Sequence, residues 1–132
     1  MLPRLKSAAI EWLKRATSNL ERARQPKPPA VYWEDLCFDA QQAAEKALKA
    51  LFIWHGKKFP FSHDIGELLD DAEAFLPSIP QAVQEAKQLS DYAVATRYPS
   101  WGTPVSEAEY RHALTQAEAV VAWVSLTVKA SP

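Results

Sequence analysis

Cysteine and glycine are scarce in this chain, which has one cysteine and three glycines among its 132 residues. Cys37 has no partner for a disulfide and reads as a small buried hydrophobe in a reducing compartment. Gly56, Gly66 and Gly102 stand far apart, which excludes a glycine-rich phosphate loop. No run of about 18 apolar residues occurs anywhere, so no membrane-spanning helix is expected. Lys14, Arg15, Arg22 and Arg24 interrupt the first 24 residues, which leaves no apolar leader there. A cytoplasmic protein is the resulting expectation. No alternating strand pattern is present. No paired His or Cys spacing resembles zinc ligation, so neither a metal nor another cofactor is expected.

Charge of one sign is also in short supply overall, with a net of −1. The distribution is uneven: residues 1–28 carry +5 and the remainder −6. An overall basic surface for gripping nucleic acid is therefore excluded. Arg4, Lys6, Lys14, Arg15, Arg22, Arg24 and Lys27 still form a basic strip near the start. It is open to two readings, a solvated helix face or a contact with RNA or an acidic partner. The acids Asp64, Glu67, Asp70, Asp71 and Glu73 read as a solvated face rather than a Mg²⁺ cluster.

What the chain does have is helical periodicity. Trp33, Cys37, Ala40, Ala44, Ala47, Leu51 and Trp54 follow at alternating steps of four and three, which places all seven on one stripe of a long helix. Gln41, Gln42, Glu45, Lys46 and Lys49 occupy its other faces, with Glu45 four residues before Lys49 as a supporting ion pair. An earlier helix is expected over about 3–24, with Leu5, Ala9, Trp12, Ala16, Leu20 and Ala23 inward, stopped by the prolines of residues 25–29. The second helix is expected over about 30–55, ended by Gly56 in a left-handed cap, with His55 complementing its dipole.

A short third helix, capped by Ser62 or Asp64, turns Ile65, Leu68, Leu69, Ala72 and Phe75 inward and stops at Pro77. A fourth opens at Ser78 and Pro80 and carries Val83, Ala86, Leu89 and Ala93 inward as far as Pro99. After a loop over residues 98–104, Ser106 and Glu109 form a capping box for the last helix. Its stripe is Tyr110, Leu114, Ala117, Val121, Val124 and Val128. The expected architecture is all-α: one domain over 1–132, an antiparallel four-helix up-and-down bundle with a short additional connecting helix.

The run of residues 35–51, Asp-Leu-Cys-Phe-Asp-Ala-Gln-Gln-Ala-Ala-Glu-Lys-Ala-Leu-Lys-Ala-Leu, is followed by His55-Gly56, Phe59-Pro60, His63-Asp64-Ile65 and Leu68-Leu69. Tyr92 and Arg97-Tyr98-Pro99 come next. Together these spaced matches resemble a HEPN domain over roughly residues 5–128. The resemblance implies a helical, dimeric protein associated with nucleotide or RNA chemistry. For prokaryotic members it also implies a separately encoded minimal nucleotidyltransferase as partner, in a two-component or toxin and antitoxin pair.

HEPN ribonucleases carry an arginine followed after four to six residues by a histidine, because cleavage through the ribose 2′-hydroxyl needs proton transfer and a cation on the phosphate. This chain departs from that pattern. After Arg97 the positions hold Gly102, Thr103 and Pro104, and after Arg111 they hold Gln116, Ala117 and Glu118. His55, His63 and His112 follow no arginine at that interval. The reading is a non-catalytic HEPN protein that binds nucleotide or partners a nucleotidyltransferase, with an RNA-cleaving toxin of unconventional active site as the alternative.

The candidate nucleotide-binding residues are Arg97, Tyr98, Lys57, Lys58, His63 and Trp101. A guanidinium and a ring at a helix end suit phosphate and base, with Trp101 and the two lysines contributing from neighbouring loops. Arg97 capping its own helix, with Tyr98 and Trp101 covering the core, is the structural alternative. His63 and Asp64 sit where a third helix begins, so capping competes with anion binding there. A dimer face is expected on the first and last helices, or on Leu36, Phe38, Leu48 and Phe52, which flank the second helix's main stripe.

Overall fold

The computed structural model describes residues 3–95 and 104–129, and everything below concerns those residues. Arg97, Tyr98 and Trp101 lie outside them. Helices α1 (Pro3–Arg24), α2 (Trp33–Trp54) and α6 (Glu107–Ser125) are the long elements. Between them come α3 (Ile65–Ala72), α4 (Gln81–Gln84), a 3₁₀ segment (Glu85–Asp91) and α5 (Tyr92–Ala95). The last three run on as one broken helix. No strand occurs among the described residues, and the all-α expectation holds.

Side-chain pairs fix the directions. α1 and α2 are antiparallel, since Lys6 lies over Trp54 (5.3 Å), Trp12 meets Phe59 edge-on (5.6 Å) and Asn19 bonds Asp39 (3.1 Å). The broken helix runs against α6, with Gln116 donating to the Glu85 carbonyl (3.1 Å) and Tyr92 to the Glu109 carboxylate (3.4 Å). Successive long elements therefore alternate in direction, with α3 as the connector. α2 and α6 run parallel across the bundle, and Ala40, Ala43, Ala44 and Ala47 of α2, all 0 % exposed, keep the interior narrow enough for both to touch.

The stripes anticipated on α2, α3 and α6 face the core; on α1, Ala9, Ala16, Leu20 and Ala23 do so with Ile10 and Leu13 beside them, while Leu5 and Trp12 lie outside the core cluster, Trp12 against Phe59. At one end of the bundle Trp33 stacks on Tyr110 (4.8 Å), whose hydroxyl donates to the Ala23 carbonyl. At the other end, Gly56 takes φ +67°, and the bonds Lys57 N to Phe52 O and Gly56 N to Ile53 O (each 2.9 Å) close α2 in a Schellman motif. Asp64 rather than Ser62 caps α3, accepting from Gly66 N at 2.8 Å.

Three details differ from the sequence reading. The fourth helix is not continuous to Pro99. It tightens into a 3₁₀ path, where Gln116 takes the Glu85 carbonyl that a regular α-turn would use and Ser90 Oγ turns aside to Asp64 and Ile65 N. Gln41, Glu45 and Lys49, placed off the apolar stripe by their spacing, are nevertheless buried, at 0, 4 and 8 % exposed, because the chain after Gly56 folds back along α2. Leu36, Leu48 and Phe52 are buried, so these three of the four flanking residues are taken up by the bundle's own core and are not free for a partner, whereas Phe38 is half-buried.

Candidate functional site

One of two polar regions among the described residues lies where residues 57–64 return along α2. Lys57 and Lys58 are exposed just beyond the Schellman turn. With Ile53, Phe59 and Phe61 they line a depression of about 470 Å³. The Phe61 ring is fully solvated. Pro60 precedes it and denies the backbone a helical continuation, so this ring has no helix face to pack into. On their other side the same two lysines share a depression of about 420 Å³ with Asp70 and Asp71 of α3, which offset part of their charge.

Next to this patch is a buried ionic network on α2. Glu45 accepts from Lys49 Nζ (2.9 Å), from Gln41 Nε2 (2.9 Å) and from His63 Nδ1, which lies 3.1 Å from each carboxylate oxygen. Spacing of four residues along one helix aligns Gln41, Glu45 and Lys49. Burial alone would raise the Glu45 carboxyl, but the bonds from Lys49 and Gln41 and the nearby ammonium outweigh it, so its pKa falls below 4.5. Lys49 also faces the Phe59 ring (5.2 Å to its centre), which joins the network to the lysine-lined depression.

His63 is placed by both its neighbours and its backbone. Gln41 donates to its carbonyl at 3.2 Å, while Asp64, the next residue, is locked as the α3 cap by Gly66 N and Ser90 Oγ. His55 follows the last turn of α2. Burial, aided by Lys57, lowers its pKa and favours the neutral ring, which lies against Phe75 (5.2 Å).

A second polar seam joins α1 to α2: Asn19 Nδ2 donates to Asp39 (3.1 Å), Lys46 Nζ donates to Asn19 (2.8 Å), and Arg22 approaches Asp39 at 3.5 Å. Asn19 and Asp39 are buried and fully partnered, so this seam sets helix register. Among the described residues no group of three or more His, Cys, Asp or Glu could hold a metal ion. No described helix is long and apolar enough to cross a membrane.

Of the sequence candidates, Lys57, Lys58 and His63 therefore belong to one returning loop, the lysines at its start and His63 at its end beside Glu45. α5, which ends at Ala95, lies at the opposite end of α2, where Tyr92 reaches Cys37. Cys37 and Trp54, the last residue of α2, are separated by about 25 Å of helix at 1.5 Å per residue. Sequence reasoning missed Phe61, Gln41 and Glu45 as parts of this region. The signal for Phe61 was a large apolar residue in a proline-bounded loop; nothing local marked Glu45 as the partner of a histidine 18 positions away.

The HEPN domain pattern matches residues 9–127. The chain belongs to the HEPN family. Its HEPN fold is shared by the crystal structure of TT1696 from Thermus thermophilus, at 33 % identity and a TM-score of 0.78 over 90 % of this chain and 97 % of that one. The crystal structure of ST0689, an archaeal HEPN homologue, is similar at 29 % identity and a TM-score of 0.72 over 92 % of this chain and 98 % of that one. No curated protein matches the chain.

Proposed function

We propose that this chain is a non-catalytic HEPN protein that binds a nucleotide or RNA through Lys57, Lys58, Phe61 and His63 of the returning loop. It acts as a homodimer with a separately encoded nucleotidyltransferase, in a paired system of the toxin and antitoxin kind. One observation carries the ligand reading: a single loop presents two exposed ammonium groups, a fully solvated ring and an exposed imidazole. Those are the groups that receive phosphate, stack on a base and hydrogen-bond a sugar or phosphate. The departure from the Arg-to-His spacing supports the non-catalytic part. With Leu36, Leu48 and Phe52 buried in the core and Phe38 alone of those four half-buried, α1 and α6 are the better candidates for the dimer face.

Calorimetric titration of a nucleotide panel and of short single-stranded RNA tests the site. A Lys57→Ala, Lys58→Ala double variant should lose at least about tenfold in affinity, two charge-assisted contacts being removed. Both lysines are exposed, so its melting temperature should stay unchanged. Equal affinity in the variant rejects the assignment. Sedimentation of the pure protein tests the dimer, and co-purification with the product of a neighbouring nucleotidyltransferase gene tests the partner.

The RNA-cleaving alternative is favoured by a separate observation, the His63 ring held on a buried carboxylate, an arrangement suited to proton transfer. Incubation with total RNA, alongside His63→Ala, decides it. Cleavage lost in the variant supports this reading, and cleavage absent or undiminished rejects it.

A further inference from the structure

Phe61 is held in water by bonds on both sides of it. Ser62 N donates to the Pro60 carbonyl at 2.8 Å, which closes a tight three-residue turn with Phe61 at its centre. Ser62 Oγ accepts from Asp64 N (2.9 Å) and donates to the Glu67 carboxylate (3.0 Å), so the turn is tied to the start of α3. Before the turn, the Phe59 ring rests against Trp12 and the Lys49 ammonium. The solvated ring therefore stands on an anchored turn. A phenylalanine with all of its surface in water forgoes the free energy that burying it would bring.

Beside that ring is room for a partner's side chain. Ile53 and Phe59, both half-buried, and Phe61 wall the depression of about 470 Å³, with exposed Lys57 and Lys58 completing it. A large apolar side chain suits the three hydrocarbon walls, and carboxylates flanking it suit the two ammonium groups. Neither lysine makes an ion pair among the described residues.

The surrounding charge narrows the kind of partner. Asp70 and Asp71 stand on the other side of the same lysines, and Asp64 and Glu67 are exposed at the start of α3, so the positive patch is small. A broad anionic surface such as a bilayer brings its charge against those carboxylates as well. A short acidic segment meets the lysines alone.

We propose that this depression docks an acidic segment of a partner protein, whose large apolar side chain inserts between Ile53, Phe59 and Phe61 while flanking Asp or Glu carboxylates bond to Lys57 and Lys58. This rests on the reading above that the chain works with a second protein, and adds the surface and the chemistry by which that protein is held. A bound nucleotide would compete with the segment for the two lysines.

The probe is a fluorescein-labelled Asp-Glu-Asp-Leu-Trp-Asp-Glu-Asp peptide, followed by fluorescence anisotropy. One control peptide carries Asn and Gln for the acids, and another carries Gly for Leu and Trp. The native chain should bind the probe at least about fivefold tighter than either control. Raising salt from about 0.05 to about 0.3 M should weaken that binding severalfold. Phe61→Asp sets a carboxylate in the depression and should abolish binding, whereas Phe61→Trp keeps a large ring and should stay within about twofold of the native chain. Since the native ring is fully solvated, both variants should keep the native melting temperature.

Equal binding of the three peptides, no binding of the probe, or binding that survives in folded F61D each overturns the proposal. Vesicles of phosphatidylcholine with about 30 % phosphatidylserine should leave the chain in solution. Cosedimentation with them that F61D abolishes assigns the surface to lipid and overturns it too. Co-purification with the neighbouring gene's nucleotidyltransferase separates the two readings. Retention of that protein by F61D keeps the partner and overturns this surface as its dock. No co-purification by the native chain overturns that partner, and F61D-sensitive binding of the probe then still supports the surface.

Discussion

Glu45 takes three donors from three different places in the chain, and its ionisation is tied to folding. Because the folded value lies below 4.5, the charged form is favoured by the native state. The resulting stability is complete above about pH 4.5 and is lost as pH falls through the lower folded value. Urea unfolding at pH 7, 4.5 and 3 should show the native chain losing more stability across that range than E45Q, whose neutral amide does not titrate. Equal losses would place the acid sensitivity elsewhere. Part of this arrangement was legible beforehand. The spacing of Glu45 and Lys49 announced an ion pair, and His63-Asp64 announced a helix start. The burial of that pair was not legible, because it depends on the path of residues 57–64, and a loop's path is fixed by contacts distant in sequence rather than by periodicity.

Among the elements, α2 is the most constrained. Its alanines are small because α1 and α6 both approach it, so Ala44→Leu should overpack the interior and cost about 1–3 kcal/mol, read as a lowered urea midpoint without loss of helix content. A neutral result would mean the helices can separate slightly without penalty. The long helices were legible because twenty or so residues of consistent spacing outweigh any local irregularity. The start and end anticipated for α1 are those observed. The stretch over 81–95 carries an equally good apolar stripe, yet its backbone departs from the α-path. The departure coincides with a contact from another element, Gln116 donating to the Glu85 carbonyl where the 3₁₀ path begins. A pattern of apolar residues records which face turns inward and is silent about which carbonyls are taken by distant amides.

For the whole molecule, one core cluster reaches from Ala9 of α1 to Val128 beyond α6 and leaves no helix with an interior of its own. Unfolding should therefore be a single transition, with helix content by far-ultraviolet dichroism and tryptophan fluorescence melting together. Separated midpoints would show that a subset of helices stands alone. The location of Cys37 extends this to chemistry. It is the chain's one thiol, it is 0 % exposed, and burial together with Glu109 and Glu34 pushes its pKa up to about 12. A disulfide-exchange dye can reach that sulfur only when neighbouring helices part, so the speed of colour development becomes a clock for spontaneous opening. Oxidants met by the intact protein should accordingly leave it uncrosslinked.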